Sequence, residues 1–168
     1  AGKGIHAGMV MAKASTLFEI MSKDKVDPDE MMFHMNNDLY QTKTAGMFVT
    51  CILGEYDLVS EEIRWVNAGH QPALIRTQDG KYSEYISSST PLGVIKHKDK
   101  SVYKLEKTKL SSSRFYVFTD GLSESLDKNG DEIGVQGSIK IIENNFNTDL
   151  KKQLKDVTSE VVKVAGEK

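Results

Sequence analysis

Phe118-Thr119-Asp120-Gly121 ends an apolar run on a carboxylate followed by glycine. A strand that stops on an aspartate aims its oxygens from a fixed backbone. Mg²⁺ and Mn²⁺ are hard cations that take such oxygens and keep water in the remaining positions. The same residues also read as a plain turn, because Asp-Gly after a strand is a common chain reversal. Near the N-terminus, Gly2-Lys3-Gly4-Ile5-His6-Ala7 has the spacing G-x-G-x-x-A. A dinucleotide loop of that form needs a strand before the first glycine, βαβ alternation after it and an acidic residue about 20 positions on. Asp24 stands near that place, but a second helix follows the first where the strand should come, which argues for a glycine turn serving other chemistry. His70 closes Asn67-Ala68-Gly69-His70 at a strand end, where an imidazole serves as ligand, general acid or hydrogen-bonding residue. His6 reads as a surface or capping residue, His34 and His97 as solvated, and Lys3 as a solvated or phosphate-attracting cation. No spacing argues for a Ser-His-Asp or Cys-His nucleophile.

The elements that must position these groups are helices at both ends and strands between. Val10, Ala14, Leu17 and Met21 recur at helical spacing and predict a first helix soon after the glycines. Asp27-Pro28-Asp29-Glu30 supplies an N-cap, a proline at the first helical position and a glutamate at N3, with Met32, Met35 and Leu39 on one stripe of a second helix ending near Thr42. Strands are predicted over 47–53 as a run covered on both faces, 63–66, 72–77, 81–86, 102–105 and 115–118, with Asp79-Gly80 as a hairpin turn. Two closing helices follow from Val135, Ile139, Ile142 and Phe146, then Leu150, Leu154, Val157, Val161 and Val164. The expected class is α+β, one domain over residues 1–168, with helices covering sheet faces.

Composition excludes several classes. The 22 basic and 24 acidic residues are interspersed, so no charged footprint points to nucleic acid or to an anionic membrane. Cys51, the single cysteine, lies in an apolar run and predicts a buried thiol in a reducing, cytoplasmic setting. No run approaches the roughly 18 apolar residues that cross a bilayer, and none resembles a signal peptide. All seven methionines fall within the first 47 residues, mostly on the two helices, where an unbranched side chain lets a helix repack.

Taken in order, Gly2-Lys3-Gly4-Ile5-His6-Ala7, Met47-Phe48-Val49-Thr50, Val66-Asn67-Ala68-Gly69-His70-Gln71-Pro72, Pro91-Leu92-Gly93 and Phe118-Thr119-Asp120-Gly121-Leu122-Ser123-Glu124 resemble the SpoIIE/RsbU branch of the metal-dependent, PP2C-like serine/threonine phosphatases. Gly130-Asp131-Glu132-Ile133-Gly134 is similar to a further segment of that branch. The resemblance implies an α-β-β-α sandwich of antiparallel sheets flanked by helices, with two Mn²⁺ or Mg²⁺ ions whose bound water attacks phosphoserine or phosphothreonine. Two cations lower the pKa of that water and stabilise charge on the attacking and leaving oxygens of one of the slowest uncatalysed hydrolyses.

The resemblance makes Asp120 the metal-binding, catalytic aspartate, with Gly2, Gly4, Gly121, Asn67, Gly69 and His70 supporting the turns of the site. It places a bridging aspartate two residues before Ala1 and a D-D-x-T strand after Lys168, so the expectation is a partial fold that binds Mn²⁺ weakly or not at all. The implied partners are a phosphorylated STAS-domain anti-anti-sigma protein and an upstream sensor or receiver domain, with a homodimer as a further implied state. In this branch the corresponding helix pair acts as a switch, which makes the two methionine-rich helices the expected regulatory element. The alternative is a catalytically incomplete regulatory or binding module of the same fold.

Overall fold

The computed structural model describes residues 4–42 and 46–165. The chain divides into two compact units, Ala1–Val117 and Phe118–Lys168.

The first unit begins with two helices, α1 (Ile5–Lys23) and α2 (Pro28–Gln41). Gly4 enters α1 at φ 83, a conformation that glycine adopts without Cβ strain. Val10 and Ala14 are the buried residues of α1, as the periodicity predicts. Asp27 takes the N-cap position of α2 and Pro28 the first turn, but the Asp27 side chain makes no cap hydrogen bond. Its carboxylate instead receives Arg64 Nη1 at 3.0 Å, while Nη2 of the same guanidinium reaches Glu55 at 2.7 Å. Met31, Met32, Met35 and Leu39 turn inward, so the methionines of α2 are core residues.

Among the described residues six strands form two antiparallel sheets, one in the order β1 (Cys51–Asp57), β2 (Glu62–Ala68), β5 (Glu106–Lys109) and the other in the order β4 (Tyr82–Tyr85), β3 (Ala73–Arg76), β6 (Arg114–Tyr116). Alternation along β2 splits its side chains between two cores. Val66 and Ala68 join Leu53 and the helix residues in the first core, and Tyr103 packs there too. Ile63 and Trp65 meet Ala73 and Ile75 of β3 in the second. Trp65 is 1% exposed and sits edge-on to Tyr85 and Phe115, each with ring centroids 5.1 Å away. The first unit is thus a helix pair on a sheet on a sheet, the α-β-β part of the expected architecture.

Three strand expectations are corrected. Residues 47–50 are not strand apart from a bridge between Val49 and Leu92, and β1 runs on to Asp57 as an edge strand exposed beyond Leu53. Residues 102–105 are not a strand: a short 3₁₀ turn at Lys100–Val102 rolls Tyr103 into the helix-side core at 2% exposure. The strand forms one step later from Glu106–Lys109, a polar edge segment whose lysines suit an unpaired border. The run 115–118 is strand only to Tyr116, and it is half-buried rather than fully covered.

The second unit holds a single helical turn, α3 (Asp120–Ser123), and two helices, α4 (Gly134–Asn144) and α5 (Leu150–Ala165). Ile141, Ile142 and Ser138 are the buried residues of α4. On α5 the expected stripe is rotated: Leu150 and Leu154 are 63% and 68% exposed. Gln153 is buried instead and donates from Nε2 to the Ile142 carbonyl at 3.3 Å, so a polar anchor between the helices sets which face turns inward.

Candidate active site

Asp120 opens α3 after Thr119, whose backbone is extended and whose side chain provides no cap. The turn closes through Leu122 N–H to the Thr119 carbonyl at 3.1 Å and Glu124 N–H to the Asp120 carbonyl at 2.7 Å. Ser125 Oγ ties it to the Gly121 carbonyl at 2.6 Å, and Ser123 is buried beneath it. These bonds fix the backbone and leave the exposed Asp120 carboxylate without a protein partner among the described residues. The sequence reads Asp120-Gly121 as a sharp turn of the backbone after a strand, with Gly121 permitting it. Gly121 lies instead within the helical turn, outside the left-handed region. A few residues on, Asp127 accepts from Asn129 N–H at 2.8 Å and Asp131 N–H at 3.0 Å. Those backbone donors, Asp131 first, hold its carboxyl below the usual range and order the segment before α4.

In the first unit, the structure brings Asn67, Gly69 and His70 together as one hydrogen-bonded turn. Asn67 Oδ1 accepts the His70 N–H at 2.9 Å, and its Nδ2 donates to the Gln71 carbonyl at 3.0 Å. Ser87 Oγ bridges the turn, accepting from Gly69 N–H at 2.7 Å and donating to the Asn67 carbonyl at 2.9 Å. Gly69 has φ +66, and a Cβ there would lie 2.5 Å from Cγ of Pro91. His70 Nδ1 pairs with Thr50 Oγ1 at 3.1 Å. The half-buried imidazole thus lines a cavity of about 460 Å³ with Thr50, Tyr56, Trp65 and Phe115. Asn67 is 7% exposed with both amide atoms in use, so its role is to shape the turn.

Other candidates separate clearly. Gly2 and Lys3 lie outside the described residues. Gly4 begins α1, and His6 is exposed on it. His34 is on the surface, 3.8 Å from Glu30. His97 was expected to be solvated, but Asn37 clasps its backbone from both sides, Nδ2 to the carbonyl at 3.1 Å and Oδ1 from the N–H at 3.0 Å. Its ring stands edge-on to Tyr103, with Nε2 buried and unpaired. Burial pushes the Cys51 thiol from 9.0 to about 11, which leaves it protonated and unreactive at neutral pH.

Sequence reasoning missed Asn36, which is fully buried on α2 and bonds a distant loop. Its only signal was an amide at a position where the helical stripe is otherwise apolar.

The donor chemistry bears on metals. Among the described residues no group of three or more His, Cys, Asp or Glu side chains is placed to hold an ion. Asp120 offers oxygen donors of the right hardness but belongs to no such group, so the described residues do not by themselves make a binuclear site.

Residues 1–168 match the family model described as Stage II sporulation protein E (SpoIIE). The phosphoserine phosphatase RsbU of Bacillus subtilis (strain 168) is 25% identical over 131 residues, 77% of this chain and 38% of the relative. The chain therefore spans well under half the length of that protein. The SiaA-PP2C domain of Pseudomonas aeruginosa superposes at TM-score 0.83 with 14% identity, covering 99% of this chain and 67% of the other. A structure of the PP2C phosphatase domain and regulatory fragment of SpoIIE from Bacillus subtilis gives TM-score 0.79 at 18% identity over 97% of this chain and 47% of the other. The SpoIIE phosphatase domain presoaked with manganese gives TM-score 0.58 at 18% identity, over 88% and 63%. At these identities the superpositions establish the fold, and the family match supplies the lineage: the chain belongs to the SpoIIE family, as a PP2C-like domain of the SpoIIE/RsbU type.

Proposed function

We propose that this chain is part of a metal-dependent protein serine/threonine phosphatase that transfers the phosphoryl group of phosphoserine or phosphothreonine to water. The observation that carries the reading is the family match over residues 1–168, within which the T-D-G aspartate, Asp120, presents an unpaired carboxylate on a hydrogen-bonded turn. Mn²⁺ or Mg²⁺ is the proposed cofactor, consistent with hard oxygen donors and with the manganese-soaked SpoIIE neighbour. When bound, such ions supply a nucleophilic water and charge stabilisation. Asp120 would contribute one carboxylate. The Asn67-Gly69-His70 turn is proposed to support the site by holding its backbone and the His70 ring in one arrangement.

The proposed substrate is a phosphorylated STAS-domain anti-anti-sigma protein, a reading that rests on the family resemblance together with the RsbU relationship. An upstream sensor or receiver domain acting through α1 and α2, with a homodimer as the assembled form, completes the regulatory reading. A reducing cytoplasmic setting is proposed from the half-buried free thiol of Cys51, and among the described residues no helix is long and apolar enough to cross a membrane.

The test is phosphate release from a phosphorylated STAS protein with Mn²⁺ present, using the longest natural chain that contains residues 1–168. Asp120→Asn should lower kcat by 10²-fold or more, on the order expected for loss of charge-stabilising machinery. Retained activity in that variant would remove Asp120 from the site.

A second reading is favoured by one observation, the lack of any three-donor group among the described residues. It is a catalytically incomplete module that binds the phosphoprotein without hydrolysing it. Mn²⁺-independent binding with no phosphate release would select it.

A further inference from the structure

The loop after Pro91 touches both α2 and the His70 turn. On α2, Asn36 is 0% exposed; its Oδ1 accepts the Gly93 N–H at 3.0 Å and its Nδ2 donates to the Ile95 carbonyl at 2.9 Å. Leu92, also fully buried, exchanges both backbone hydrogen bonds with Val49, at 3.0 and 2.8 Å. Val49 precedes Thr50, whose hydroxyl holds His70 Nδ1 at 3.1 Å. On the other side, the Pro91 ring fills the space that a Cβ on Gly69 would need. The three residues 91–93 therefore grip the helix at one end, and at the other they grip both strands of backbone that carry the Thr50-His70 pair.

We propose that Asn36 is a positioning residue for the Thr50-His70 pair, acting through Gly93, Leu92 and Val49, so that a change in the seating of α2 is read out as a change at the His70 imidazole. The bonds involved are suited to this. Asn36 is buried, so a shift of α2 cannot exchange its amide bonds for water without cost. Leu92 is held by a paired backbone bridge and full burial, so it moves with Val49. Asn37 makes a similar two-way clasp one residue along, but on His97, beyond the segment that reaches the turn. Its clasp secures the outer part of the loop, and its Oδ1 also accepts from Asn36 Nδ2 at 3.1 Å, so it touches the route at Asn36 without bonding Gly93. The functional meaning of the relay, control of the proposed phosphatase site by α2, rests on the reading above; the coupling itself does not.

A chain of contacts carries coupling only if each end responds to the other, so the experiment reads both ends. In the isotopically labelled 168-residue chain, Asn36→Ser should shift the His70 ring ¹³C and ¹⁵N resonances. It should also speed exchange of the Gly93 amide by about tenfold relative to the Ile75 amide of β3, as loss of one buried hydrogen bond predicts. Asn37→Ala, which removes one of the two acceptors of Asn36 Nδ2 and keeps the Gly93 bond, should speed exchange at His97 and shift the His70 ring by less than Asn36→Ser does. Thr50→Val, which keeps the shape and removes the hydroxyl, should in turn accelerate Gly93 exchange. The proposal is overturned if Asn36→Ser frees Gly93 but leaves His70 in place, if Thr50→Val leaves Gly93 exchange at the wild-type value, or if Asn37→Ala moves His70 as much as Asn36→Ser does. Should Asn36→Ser not fold, Thr50→Val decides alone. Reciprocal shifts with no phosphate release from any phosphoprotein would leave the relay standing and sink the phosphatase reading.

Discussion

Gly69 combines two constraints that act on the same atom: a backbone at φ +66 and the Pro91 ring occupying the place of a Cβ. Gly69→Ala should therefore destabilise the fold by roughly 2–4 kcal/mol, from left-handed strain plus overpacking. Chemical denaturation measures it, and a change below the noise would show that Pro91 retreats freely. Cys51 gives a prediction of different kind. Its thiol is raised by burial from 9.0 to about 11, so at pH 8 the thiolate fraction falls about 100-fold and alkylation by iodoacetamide should slow accordingly against the urea-unfolded chain. The sign for stability follows from the same shift. Between pH 9 and 11 the unfolded thiol has released its proton while the folded one keeps it, so the unfolded state binds fewer protons and stability declines as pH rises through that window. Both residues were visible in the sequence, Gly69 inside a motif and Cys51 in an apolar run. Their reasons were not, because an obstructing proline 22 positions away in the chain and a desolvating core are products of folding.

At the scale of elements, local periodicity was a sound guide where one face meets one core. α1 and α2 appear where the i, i+4 and i, i+3 stripes put them, and Met32, with no exposed surface, is as buried as that pattern requires. α5 shows the limit. Five apolar residues at helical spacing define a stripe, yet the inward face is set by the bond from Gln153 to the Ile142 carbonyl, and Leu150 and Leu154 turn to solvent. A pair of substitutions separates the two accounts. Ile142→Ala should cost about 2–4 kcal/mol as a buried truncation, while Leu154→Lys should stay within about 0.5 kcal/mol as a surface change. Equal losses in thermal denaturation would restore Leu154 to the core. The strand expectation at 102–105 failed for a related reason: two apolar residues and a tyrosine satisfy a strand propensity, but the side-chain partner that captured Tyr103 was the α2 core.

At the scale of the molecule, the chain is two units, each with its own buried residues, and the motif residues are shared between them: Asn67, Gly69 and His70 in the first, Asp120 and Gly121 in the second. Metal binding is a property of a donor set rather than of a motif. With no group of three His, Cys, Asp or Glu among the described residues, calorimetric titration of Mn²⁺ into residues 1–168 should give weak or undetectable heats. Tight binding of two ions would refute this and require a donor set that the described residues do not display.

The sequence alone determined the α+β class, the two opening helices with Pro28 at a helix start, the Asp79-Gly80 hairpin and the family, because caps, turn residues, periodicity and ordered motifs are encoded over a few neighbours. Tertiary structure decided the rest. It split β2 between two cores, withdrew Asp27 from its cap to meet Arg64, turned Tyr103 away from a sheet and gave buried Asn36 a partner at Gly93. Each of those outcomes depends on a partner distant in sequence, and the free energy of burying or pairing a group belongs to the contact it finds rather than to the residue alone.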